Sequence, residues 1–123
     1  MNFSDYQHKA HSFAKYGNNP MYPILGLTEE SGEVCGKVAK YIRKHDGAEP
    51  DFSGENPGAT ILEREDNREY RESIEKELGD VLWMLSEIAT IHGFLLENIA
   101  QKNINKLTDR KNRGVIVGEG DNR

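Results

Sequence analysis

The sequence predicts an all-α protein, a four-helix-type bundle with one long loop between its two acidic helices. Apolar residues recur at helical spacing in separate segments, no stretch alternates as a half-buried strand would, and Gly/Pro clusters fall between the segments. Helices joined by short links pack as antiparallel neighbours, which is the bundle arrangement.

The first helix is expected from about Ser4 to Tyr16, with Ser4 as N-cap, Asp5 at the positive helix end, and Gly17-Asn18-Asn19-Pro20 stopping it. A second spans Met21 to Lys44, with a core stripe of Ile24, Leu27, Val34, Cys35, Val38 and Ile42. Pro20 and Pro23 fit because they fall in its first turn, where a missing N–H goes unnoticed. From His45 to about Ile61 the chain is rich in Gly, Pro and acids without periodicity and reads as a long surface loop, with the third helix beginning near Arg64. That helix runs to Ile91 on a stripe of Ile74, Leu78, Val81, Leu85 and Ile88. Gly93 interrupts, and a fourth helix follows from about Leu95 to Lys111. The glycine-punctuated tail, 114–123, is expected to form a short strand or flap. All 123 residues read as one domain.

Composition narrows the function. The hydrophobic fraction is 36% against 30% charged residues, which suits a small helical chain that shares its core with other copies. A net charge of −5 argues against nucleic acid as a partner. No apolar run approaches the ~18 residues of a membrane span, and the N-terminus lacks a signal pattern. The single cysteine excludes an internal disulfide. The expected setting is the cytoplasm, without membrane association. Cys35 falls in a core stripe and is expected to be a buried small hydrophobe.

Two acidic pairs carry the chemistry. Glu30/Glu33 and Glu77/Asp80 each have i,i+3 spacing, which sets both carboxylates on one helix face about a turn apart. On a wheel of ~100° per residue, both pairs border the apolar stripe of their helix, where helices meet. Facing pairs would repel unless a cation lay among them, and an all-oxygen set suits Mg²⁺, with Mn²⁺ as substitute. Solvated acids also occur at this spacing: Glu69, Glu72 and Glu75, with arginines and Lys76 around them, read as an exposed face. By geometry alone the two readings of the paired acids stay open. Gly32 and Gly79 favour a ligand or close helix approach, because a helical glycine costs ~1 kcal/mol relative to alanine. A di-iron bundle is excluded, since no glutamate has a histidine three residues on. No G-x-x-x-x-G-K-[ST] loop is present either.

Leu25-Gly26-Leu27-Thr28-Glu29-Glu30-Ser31-Gly32-Glu33-Val34, followed by Glu77-Leu78-Gly79-Asp80-Val81-Leu82-Trp83, resembles the MazG-like all-α nucleoside triphosphate pyrophosphohydrolases, whose signature is E-E-x-x-E and then E-x-x-D. Asn103-Ile104-Asn105-Lys106-Leu107-Thr108-Asp109-Arg110 is similar to the family's third, basic motif. The resemblance implies Mg²⁺-dependent hydrolysis of a nucleoside triphosphate between its α and β phosphates. It implies Glu30, Glu33, Glu77 and Asp80 as metal ligands, Glu29 for a second ion or the attacking water, and Lys106 and Arg110 at the phosphates. Asn103 in the same motif, Arg113 beyond it, and Lys37 one turn after Glu33 are further substrate contacts on this reading, with Lys40 beyond. The alternative reading of Lys106, Arg110 and Arg113 is a basic last helical turn, which the macrodipole favours. Tyr16, Tyr22, Tyr41 and Trp83 are the candidates for base stacking, although Trp83 among Gly79, Ser86 and Thr90 points more to a subunit interface. The acidic motifs stand further apart than the family's usual spacing, and the extra length falls in the 45–66 loop, where it bears on substrate preference. A homodimer or homotetramer is expected. The alternative is a non-catalytic helical module that binds nucleotide or assists assembly.

Overall fold

The computed structural model describes residues 1–17 and 19–120. It holds α1 (Phe3–His11), α2 (Met21–Lys44), α3 (Ile61–Ile91) and α4 (Leu96–Asn112), with no strand among the described residues. The fold is all-α. The chain divides into two compact units, one of residues 16–85 and one of residues 1–15 with 86–123, and α3 contributes to both.

In the unit of residues 16–85, α2 and α3 pack side by side. The Asn19 side chain accepts from the Met21 N–H at 3.0 Å at the start of α2, and Pro23 is buried in the first turn. At the other end, His45, Asp46 and Gly47 turn the chain out, with Asp46 and Gly47 at positive φ and the Gly47 N–H bonded to Ile42 O. The following loop is tied down at many points. Both Asp51 oxygens accept, one from Ser53 and Gly54 and the other from Asn56. Arg64 donates to the carbonyls of Ala59 and Pro57, and Arg71 to that of Phe52. Thr60 and Glu63 form a reciprocal capping box at the head of α3. This Thr-x-x-Glu pattern starts the helix at Ile61, ahead of the expected Arg64.

The buried line of α3 in this unit is Asn67, Tyr70, Glu77 and Met84. It lies to one side of the expected stripe: Leu78 and Leu85 are exposed, 51% and 40%, as are Ile24 and Cys35 of α2. The expectation of a buried Cys35 is therefore corrected. Polar residues occupy the α2–α3 seam, so a count of apolar side chains picks the wrong face of α3. Close approach of the two helices occurs at Gly26, where an added Cβ would stand 2.6 Å from Met84 Sδ. Gly32 and Gly79, expected to serve that purpose, have nothing within 4 Å.

In the other unit, α1 begins at Phe3 under an Asn2 cap, not at Ser4, with Asn2 and Asp5 bonding each other's backbone N–H. It ends at His11, short of Tyr16, where i→i+3 bonds to Lys9, Ala10 and His11 carbonyls tighten the last turn. Asn18, part of the expected stop, lies outside the described residues. Buried Gln7 joins three pieces: its amide donates to Thr90 Oγ1 and Phe94 O and accepts from the Leu96 N–H at 2.8 Å. Gly93, at φ 70°, makes the turn between α3 and α4. The tail as far as Gly120 forms turns and bends, with no strand, and 121–123 lie outside the described residues.

Candidate metal centre

The seam between α2 and α3 carries the acids. Glu30 sits one turn past Gly26, and Asp80 one turn before Met84, so the point of close helix approach also brings the carboxylates together. Glu30, Glu77 and Asp80 each offer an oxygen, and these atoms all lie within 4.8 Å of one another. Glu77 is buried, Glu30 half-buried and Asp80 exposed, so the cluster opens to solvent on one side. That separation suits a hard divalent cation with oxygen ligands at its centre.

The electrostatics agree. Burial pushes the Glu30 carboxyl above its ordinary value, and the charges of Asp80, Glu33, Glu29 and Glu77 push the same way. Glu77 moves oppositely, held low chiefly by a hydrogen bond from Lys37, whose Nζ stands 2.8 Å from Glu77 Oε1. Three of the four expected ligands are thus assembled. Glu33 and Glu29 are exposed on α2, outside the trio, and act on Glu30 through their charge.

Next along the seam is a cleft of about 240 Å³, lined by Lys37, Lys40, Tyr41, Lys44, Tyr70 and Ser73 among others. Tyr41 stacks on His45 and meets Tyr70 edge-on, and Phe52 of the loop meets Tyr70 in turn. Lys44 is bound to Asp66 at 2.7 Å. Tyr16 and Tyr22 stack on each other at 5.0 Å. Trp83 is half-buried, with an indole N–H that has no acceptor among the described residues.

The basic motif belongs to α4, in the other compact unit. Asn103 and Lys106 line a cavity of about 690 Å³ there, with Phe94, Asn98, Ile99 and Lys102. Arg110 is buried, and Arg113 is paired with Asp109 at 2.7 Å. Sequence reasoning passed over Glu87, which is fully buried with His11 Nδ1 3.0 Å from its carboxylate. Lys37, expected as a substrate contact, is instead paired with Glu77. The signal for Lys37 was its position two turns after Glu30 on the same helix face.

The model of the MazG nucleotide pyrophosphohydrolase domain matches residues 23–115. The chain belongs to the MazG family. The matched span takes in both acidic helices, the loop between them and α4. A curated relative, the Gene 37 protein of Mycobacterium phage L5, is 37% identical over 102 residues, covering 83% of this MazG chain and 75% of the phage protein. No solved structure matches. The matched span contains Glu30, Glu77 and Asp80, the residues that converge at the seam.

Proposed function

We propose that this MazG chain is a Mg²⁺-dependent pyrophosphohydrolase of nucleoside or deoxynucleoside triphosphates, with Mn²⁺ as substitute ion, releasing a monophosphate and pyrophosphate. The observation that carries the reading is the convergence of Glu30, Glu77 and Asp80 on one point of the α2–α3 seam. The donor set fits a hard cation: all ligands are carboxylate oxygens, and their mutual repulsion at Glu30 is what such an ion would relieve.

When bound, the ion supplies charge neutralisation at phosphate oxygens and a more acidic water. Glu30, Glu77 and Asp80 hold it, with Glu33 completing the set from the same face of α2. Glu29 orients the attacking water or takes a second ion. Lys37 and the α4 residues Asn103, Lys106, Arg110 and Arg113 are assigned to the phosphates, where fixed cations stabilise charge that grows on the leaving group. Of the α4 group, Asn103 and Lys106 line a cavity, whereas Arg110 is buried.

The working form is a homodimer or homotetramer, since Leu78 and Leu85 stand exposed one heptad apart on α3. Among the described residues no helix is long and apolar enough to cross a membrane. The lone exposed Cys35 is compatible with a reducing cytoplasm.

Incubating the pure protein with each triphosphate and Mg²⁺, then resolving products by chromatography, tests the reaction. Monophosphate plus pyrophosphate is expected, with activity lost in Asp80→Asn. Diphosphate plus orthophosphate would overturn the assignment of the bond. Binding without turnover would favour a non-catalytic module.

A further inference from the structure

We propose that Lys37 is the fold's own counter-ion for the carboxylate cluster, and that it competes with the divalent cation for Glu77. The inference rests on the metal reading above and adds a residue that opposes metal binding. Glu77 is the buried member of the trio, and Lys37 Nζ lies 2.8 Å from its Oε1. Both side chains are largely withdrawn from water, at 29% and 11% exposure, so the pair is screened less than a surface ion pair. α2 therefore delivers two things to the seam from one face: the anion Glu30 and, two turns later, the cation Lys37.

An ammonium and a divalent cation are alternative neutralisers of the same carboxylate. A cation drawing on Glu77 weakens the hold of Glu77 on Lys37 and is repelled by it. The displaced ammonium has a place to go, because Lys37 also lines the cleft with Lys40 and Lys44. Lys44 is engaged by Asp66, and Glu69 also lines the cleft, together with Lys40. A freed Lys37 beside Lys40 would give that cleft two cations for phosphate oxygens. By reciprocity, an anion in the cleft that attracts Lys37 would strengthen metal binding at the carboxylates.

The test is Mn²⁺ binding to the full chain, with free ion read by electron paramagnetic resonance, in wild type, Lys37→Met, Lys37→Arg and Lys40→Met. Removing a like charge at this separation should tighten Mn²⁺ binding roughly tenfold in Lys37→Met. Lys37→Arg, which keeps the charge, should stay within about twofold of wild type, and Lys40→Met, whose charge stands further from Glu77, should tighten binding less than Lys37→Met does. Thermal melting in chelator should show Lys37→Met less stable than wild type, with a larger rise on adding Mn²⁺. Unchanged or weaker binding in Lys37→Met, or equal tightening in Lys37→Arg, overturns the competition while leaving the metal site intact. Absence of Mn²⁺ binding in every protein would overturn the metal reading, and this inference with it.

Discussion

Replacing Gly26 and Gly79 in turn by alanine probes the seam that sets the carboxylate spacing. Both positions are interior to helices, so alanine alone contributes about 1 kcal/mol through backbone entropy. At Gly79 the new methyl meets nothing within 4 Å, and the full gain should appear, raising the melting temperature by about 3–5 °C. At Gly26 the Cβ would stand 2.6 Å from Met84 Sδ and 3.3 Å from its Cγ. Met84 is itself buried, at 3% exposure, so its thioether has little room to swing aside. Overpacking of this kind costs about 1–3 kcal/mol, which cancels or exceeds the propensity gain. The two variants should therefore differ by about 1–3 kcal/mol in urea unfolding followed by circular dichroism. Met84→Ala in the Gly26→Ala background should recover part of the loss, a coupling that a double-mutant cycle isolates. Because Glu30 and Asp80 lie one turn from this contact, Gly26→Ala should also weaken Mn²⁺ binding, and Gly79→Ala should not. Equal stabilisation by both substitutions would refute the close approach of α2 to α3 at Gly26.

Three further substitutions have expected outcomes. Glu30 is raised above its ordinary 4.5 by burial and by neighbouring acids, so in the fold it holds its proton to higher pH than in the unfolded chain. Its contribution is fully present below 4.5 and is lost as pH rises through the folded value. Glu30→Gln should thus gain stability relative to wild type between pH 4 and pH 7 in chelator, measured by thermal melts, and a gap independent of pH would contradict the repulsion. Glu77, held below its ordinary 4.5 first by its hydrogen bond from Lys37, runs the other way: its contribution is fully present above 4.5 and is lost as pH falls through the folded value, so Glu77→Gln should trail wild type above pH 4.5 and close the gap as the pH drops below it. Thr60→Ala removes one half of the α3 capping box and should lower stability by about 1 kcal/mol in urea unfolding, whereas Thr60→Ser should be close to neutral.

Much of this protein was readable from the order of its residues. Helix periodicity and Gly/Pro punctuation placed four helices, and α2 matched at both ends, because these are local preferences that each segment expresses by itself. The acidic motifs were legible for the same reason: i,i+3 spacing on a helix is a local fact, and it put Glu30, Glu77 and Asp80 on usable faces. What the chain order could not supply was which face of α3 turns inward. That depends on the partner surface, and here Glu77 and Asn67 face inward while Leu78 and Leu85 face out. Nor could it show that Gly26, not Gly32 or Gly79, permits close packing, since only the facing Met84 distinguishes them. The 2.8 Å pairing of Lys37 with Glu77 joins residues forty positions apart in the chain, and the packing of α2 on α3 alone decides it. Local sequence set the helices and their charges; the seam between them selected which charges meet.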